Sequence, residues 1–251
     1  MSGPPALSVR GLCKSFGALV VAQSIDLDLA PGARVGLIGP NGAGKTTFVN
    51  LLTGFLRPDA GTIALGGVPI EDATPEKRVH HGLVRTHQIN TLLTEFSVRD
   101  NVAIAVAERD KLAWRMMRYR PQWRACLEEA QSRLADMGIG HIGDRVVQEL
   151  SYGQQRLLEI AIALALRPLV LLLDEPAAGV PSAEAAHIHD VLDRLPPDIA
   201  ILIIDHDMDV IFRFAREIVV MVQGRILRRA APAEIAADPE VRAVYLGRTV
   251  I

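Results

Sequence analysis

Short apolar runs alternate along this chain with longer stretches in which apolar residues recur at helical spacing. The runs Arg34 to Ile38, Gly82 to Thr86, Val170 to Leu173, Ile199 to Ile204 and Ile218 to Val222 predict strands, with smaller candidates at Leu7 to Leu12, Ile25 to Leu29 and Thr62 to Leu65. Gly32, Gly66-Gly67 and Gly224 supply hairpin turns, so the early strands are expected to be antiparallel. Between Gln88 and Leu150 the strand pattern stops and amphipathic helices take over, as in Leu127, Ala130, Leu134 and Met137. Thr74-Pro75 and Ser97 followed by Asp100 read as helix starts, and two short helices are expected near Pro232 to Ala237 and Glu240 to Leu246. The pattern predicts an α/β fold: a mostly parallel sheet flanked by helices, with a helical subdomain inserted.

Composition narrows the function classes. The longest apolar runs, Leu169 to Leu173 and Ile199 to Ile204, fall far short of the roughly 18 to 20 residues that cross a bilayer, so no membrane span is expected. The first residues, Met1 to Leu7, lack a signal-peptide pattern, and the chain is expected to stay where it is made. With 27 basic and 29 acidic side chains the formal net charge is -2, which gives no global electrostatic reason to expect nucleic acid. Cys13 and Cys126 belong to no disulfide or zinc spacing. The hydrophobic share of 49% fits either a large core or a surface that partners cover.

The strongest chemical signal is Gly39-Pro40-Asn41-Gly42-Ala43-Gly44-Lys45-Thr46-Thr47, set between the strand Arg34 to Ile38 and a helix ending at Gly54. Spacing and context are those of a P-loop: glycines let successive N–H groups turn inward, and the helix N-terminus adds its positive end. Lys45 is expected to reach the β- and γ-phosphates of ATP, and the Thr46 hydroxyl to ligate Mg²⁺. Downstream, the strand ending at Leu173 delivers Asp174-Glu175. Beside a P-loop, Asp174 reads as the carboxylate on the Mg²⁺ side and Glu175 as the group that orients the attacking water.

Leu150-Ser151-Tyr152-Gly153-Gln154-Gln155-Arg156 resembles the Leu-Ser-Gly-Gly-Gln signature of ABC ATPases, departing only at Tyr152. Ser151 and Gln154 also form a capping box that opens the helix Gly153 to Leu166, and a capped N-terminus with an exposed serine and glycine is itself an anion site. The resemblance runs from Leu7 to Gly247 and implies a P-loop NTPase (RecA-like) core with an N-terminal antiparallel β subdomain and an inserted α-helical subdomain. In those terms residues 1–251 are one ATPase domain: 1–88 and 150–224 the nucleotide-binding core with its β subdomain, 89–149 the helical subdomain and 225–251 a C-terminal tail. The resemblance further implies that Phe16 stacks on adenine, that Gln88 is the Q-loop residue at the metal and the attacking water, and that His206 is the switch histidine. It implies a dimer too, in which Ser151, Gly153 and Gln154 of one protomer face the γ-phosphate bound by the other.

The stretches Val84 to Gln88, Leu150 to Arg156, Asp174 to Gly179, Asp205 to Met208, Asp238 to Glu240 and Tyr245 to Gly247 look like the ATPase subunits of branched-chain amino acid importers, which ureide and aromatic-acid importers resemble. The partners so implied are transmembrane permease subunits, a second ATPase subunit and, indirectly, a solute-binding protein, with the chain peripheral on the cytoplasmic face of the inner membrane. Two positions depart: His87, where phenylalanine is usual, and Pro181, where the D-loop usually carries Asn or Asp. Pro181 removes a hydrogen-bonding side chain at the dimer seam, which favours a heterodimer over a self-paired dimer. Two rivals stay open: a lipid or lipopolysaccharide extractor ATPase, and a non-transport ABC ATPase acting on DNA or ribosomes. The basic, aromatic stretch Trp114 to Arg124 reads as a solvated or partner-facing helix, and His80, His81, His141, His187 and His189 as structural or surface residues.

Overall fold

The computed structural model describes residues 4–86, 92–112 and 120–246. In chain order the elements are β1 (Leu7–Phe16), β2 (Leu19–Leu29), β3 (Arg34–Ile38), α1 (Lys45–Thr53), β4 (Ala60–Leu65), β5 (Val68–Pro69), α2 (Pro75–His80), β6 (Leu83–Arg85), α3 (Val98–Arg109), α4 (Arg120–Asp136), α5 (Tyr152–Ala165), β7 (Val170–Asp174), α6 (Ser182–Asp193), β8 (Ala200–Ile204), α7 (Met208–Phe214), β9 (Glu217–Val222), β10 (Arg225–Ala230), α8 (Pro232–Ala237) and α9 (Pro239–Leu246). They group into two compact units, one of Met1–Leu83, Leu169–Glu175 and Pro196–Ile251, the other of Val84–Pro168 and Pro176–Leu195. Among the described residues no helix is long and apolar enough to cross a membrane.

The first unit holds two sheets. One is antiparallel, in the order β2-β1-β4-β5; the other runs β10-β9-β3-β8-β7. In the second, β3 lies parallel between β8 and β9, and β8 pairs in parallel with β7. The carboxyl ends of three adjacent strands, β3, β8 and β7, therefore open on one edge, the place where α/β sheets bind ligands. The helix α1 buries Phe48, Val49, Leu51 and Leu52 in one apolar cluster with residues of both sheets, among them Leu12, Ile25, Leu172 and Met221. Each such side chain contributes about 1.5–3 kcal/mol by leaving water. Gly36 lets α7 approach β3, since a Cβ there would stand 2.8 Å from the Ile211 Cγ2 atom.

Arg78 of α2 is buried within this unit and spends its guanidinium on backbone carbonyls: Nη1 donates to Leu51 and Leu52 at 2.7 and 2.6 Å, Nη2 to Glu71 at 2.8 Å and Nε to Ala73 at 3.0 Å. Two of those carbonyls belong to the last turn of α1, where helical partners run out. The sequence pattern predicts strands at Leu7 to Leu12 and Ile25 to Leu29; the structure extends them into one long hairpin, β1 with β2. Its register shifts near Leu12 and Lys14, and Ser24 has a φ of 49°, so alternation breaks there and the period-two signal fades.

The second unit is built on α3, α4, α5 and α6. Its apolar interior includes Val102, Val106, Ala130, Leu134, Leu158 and Ala161. The helix α5, expected with the nucleotide-binding core, packs here against α3 and α4 because its buried stripe is wide: eleven of its residues are buried, from Gly153 to Ala165. Arg109 at the end of α3 ties three helices, donating to both carboxylate oxygens of Glu129 on α4 at 2.8 and 3.0 Å and to the Ala165 carbonyl of α5 at 2.7 Å.

Candidate functional site

The loop leaving β3 folds back so that α1 begins at Lys45, capped by Gly44 in the left-handed region with φ 98° and no side-chain cap. The first intrahelical bond runs from the Phe48 N–H to the Gly44 carbonyl at 2.8 Å, so the N–H groups before it have no partner within the helix. A Cβ at residue 44 would lie 2.7 Å from the Val21 carbonyl oxygen and 3.4 Å from the Gly224 Cα. Only glycine satisfies both the torsion and the space. The loop is braced from the far side: the Gly224 N–H donates to the Ala43 carbonyl at 2.9 Å, and Gln23 N–H to the Gly224 carbonyl at 2.8 Å.

These residues line a cavity of about 530 Å³ whose walls are Asn41 to Thr47, Glu175, Leu19 to Val21 and the Gln223-Gly224 turn. The Lys45 ammonium donates to the Gly39 and Pro40 carbonyls, the second at 3.2 Å. Burial lowers its pKa, while the Glu175 and Asp174 carboxylates pull the other way, which places both carboxylates within electrostatic reach of the loop. Free N–H donors, a helix N-terminus and an ammonium on one concave surface bind linked phosphates.

Asp174 ends β7 opposite Ile204 of β8. The chain then turns at Glu175, which takes a φ of 47° and donates its N–H to the Ile204 carbonyl at 2.7 Å. A left-handed torsion in a residue other than glycine is uncommon and concentrates at functional sites. It brings the Glu175 carboxylate to the His206 ring, Oε1 to Nδ1 3.3 Å. Buried Asp205, next to His206, has its Oδ1 3.6 Å from the same ring nitrogen and accepts the Asp207 N–H at 2.9 Å; burial raises its carboxyl pKa. The residues Gly39 to Thr47, Asp174, Glu175 and His206, far apart in sequence, thus share one edge of one unit.

In the second unit Ser151 caps α5 with a complete capping box: its Oγ accepts the Gln154 N–H at 3.3 Å, and the Gln154 side chain accepts the Ser151 N–H at 3.1 Å. Tyr152 stands exposed, with the Arg156 guanidinium 4.6 Å from its ring centroid. Pro181 is the N-cap of α6 and makes no side-chain cap.

A family model described as ABC transporter matches residues 22–178. The chain is 37% identical over 250 residues to the high-affinity branched-chain amino acid transport ATP-binding protein LivG of Escherichia coli (strain K12), covering 97% of this chain and 98% of LivG. The chain belongs to the ABC transporter ATPases. The ATP-binding protein BraF of Pseudomonas aeruginosa, named for the same transport, is 36% identical over 97% of this ABC ATPase. The crystal structure of the ADP conformation of MJ1267, an ATP-binding cassette of an ABC transporter, matches it with a TM-score of 0.81 at 29% identity, over 97% of this chain and 99% of that one. The chain is therefore the ATP-binding and ATP-hydrolysing subunit of an ABC transporter, and its work takes place with membrane permease subunits and in a dimer of cassettes.

Gln88 and His87 lie outside the described residues, as does most of the Trp114 to Arg124 stretch. Phe16 is half exposed and pairs across the hairpin with Leu19, which lines the cavity. Sequence reasoning missed Leu19, Val20, Val21 and Gln223 as cavity walls and Asp205 as the buried neighbour of His206. The apolar run Leu19-Val20-Val21, close after Phe16, was the available signal; for Gln223 none exists, since its place comes from a contact some 180 residues away in the chain.

Proposed function

We propose that this cassette powers uptake of a small polar solute, such as a branched-chain amino acid, from the cytoplasmic face of the membrane. The observation that carries the reading is similarity over nearly the whole length of both chains to ATP-binding proteins of branched-chain amino acid transport. A cassette of another transport class shares the nucleotide motifs; likeness through the tail as well supports a shared assembly.

At the site, the loop Gly39 to Thr47 holds the phosphates, with Lys45 at the β- and γ-phosphates, and Phe16 stacks on adenine beside Leu19. Thr46, Asp174 and Gln88 would hold Mg²⁺; the hydroxyl of Thr46 on the cavity wall and the Asp174 carboxylate near Lys45 are the hard oxygen donors that ion takes. Bound there, Mg²⁺ neutralises charge on the phosphate oxygens. Glu175 orients and deprotonates the attacking water, and His206, 3.3 Å from it, holds that carboxylate in place. Ser151, Gly153 and Gln154 meet the γ-phosphate of a nucleotide held by the other cassette. Since Pro181 offers no polar seam group, that other cassette is an unlike subunit.

The test is transport by proteoliposomes carrying this chain with the membrane subunits that co-purify with it. ATP-dependent accumulation of labelled leucine or a related amino acid supports the reading. Extraction of lipid, or co-purification with nucleic acid or ribosomes in place of a permease, overturns it.

A further inference from the structure

The N-terminus of α5 already holds an anion. Ser151 has one hydroxyl proton, and it is given to the Oε2 atom of Glu184 at 2.9 Å, while the Gly153 N–H donates to the same oxygen at 3.1 Å. A Cβ on residue 153 would stand 2.2 Å from that oxygen, so the glycine is what admits the carboxylate. Glu184 is the third residue of α6. A glutamate at that position ordinarily folds back to the backbone N–H of its own N-cap. Here the N-cap is Pro181, which has no N–H, so the carboxylate has no such partner and reaches across to α5.

We propose that Glu184 is an autoinhibitory occupant of the signature: it fills the position of a terminal phosphate and must swing away before the nucleotide on the second cassette docks. The inference rests on the proposed role of Ser151 and Gly153. Those two donors cannot serve a carboxylate and a phosphate at once, because the hydroxyl carries one proton and the amide one hydrogen. The two anions also repel, and the positive end of α5, which favours the carboxylate in the open state, gives up that interaction when it leaves. Closure of the dimer is thus weakened by the full strength of this contact. Pro181 and Glu184 act as one device, the first denying the second its usual place.

The test uses the full chain with Glu175→Gln, which retains ATP, and follows MgATP-dependent association by sedimentation velocity, with the chain alone and mixed with its partner cassette. Adding Glu184→Gln or Glu184→Ala lowers the dissociation constant of the dimer by about tenfold, the size of a favourable charge–dipole contact. Pro181→Ala, which keeps Glu184 and returns an N–H to it without placing a polar side chain at the seam, shifts the constant in the same direction. If the parent associates and the Glu184 variants associate no better, while their thermal midpoint without nucleotide falls, Glu184 is only a helix cap and the proposal is overturned. If no variant associates although each binds MgATP, the composite-site reading itself fails, and the proposal with it.

Discussion

At the scale of the residue, Glu175 combines three properties: a left-handed torsion, an N–H bonded to the Ile204 carbonyl, and a carboxylate facing both the phosphate loop and His206. The torsion costs about 1 kcal/mol, which the short hydrogen bond and the surrounding sheet hold in place. Glu175→Gln keeps the shape and removes the proton acceptor. Turnover in the assembled transporter is expected to fall at least about 100-fold while the ATP dissociation constant stays within about threefold, as steady-state kinetics and ATP titration would report. Near-normal turnover would move the role to another group. Lys45→Ala does the reverse: it leaves the water-activating groups intact and removes a half-buried cation from the phosphates. A rise of about 10- to 100-fold in the ATP dissociation constant is expected by calorimetric titration, and an unchanged constant would show that the loop does not hold the nucleotide.

Among elements, Arg109 joins α3 to α4 by a bidentate ion pair with Glu129 and to α5 by a hydrogen bond to the Ala165 carbonyl. The Arg109 guanidinium holds the Glu129 carboxyl down to about 2, well below the ordinary carboxylate range, and Arg109 is itself raised by Asp110 and Glu129. A folded pKa below the unfolded one contributes stability that is present above about 4.5 and lost as pH falls toward 2. Glu129→Gln is therefore expected to lower stability by about 1–2 kcal/mol at pH 7 and by progressively less on acidification, with the denaturation curves of the two proteins converging near pH 2. Parallel curves at every pH would disprove the linkage. Local elements were also where the sequence was most legible. The run from Arg34 through Lys45 to Gly54 reads directly as strand, loop and helix because turn glycines, cap and apolar stripe all lie within twenty residues. The β1–β2 hairpin reads poorly because bulges break its alternation. The cavity wall at Gln223 and the partner that Glu184 finds on α5 are set by tertiary packing, which no local pattern encodes.

For the whole molecule, Pro181 at the head of α6 and the proposed unlike partner have a consequence in solution. The purified chain is expected to remain largely monomeric with ATP, to hydrolyse slowly, and to gain activity when a second cassette and the membrane subunits are added. Sedimentation and phosphate release measure this, and a stable ATP-dependent homodimer with full, cooperative turnover would refute the unlike pairing. The bracing of the phosphate loop bears on which substitutions the protein can absorb. The floor under Gly44 is the carbonyl of Val21 and the bare backbone of Gly224, where a Cβ would in turn lie 2.6 Å from that same Val21 oxygen. A contact made by main chain is indifferent to the side chain that carries it. As far as this contact goes, position 21 is indifferent to its side chain, which its place on the cavity wall constrains instead, whereas one added methyl group at 44 or 224 pushes the loop off its support. The contact itself therefore tolerates variation on one side and forbids it on the other.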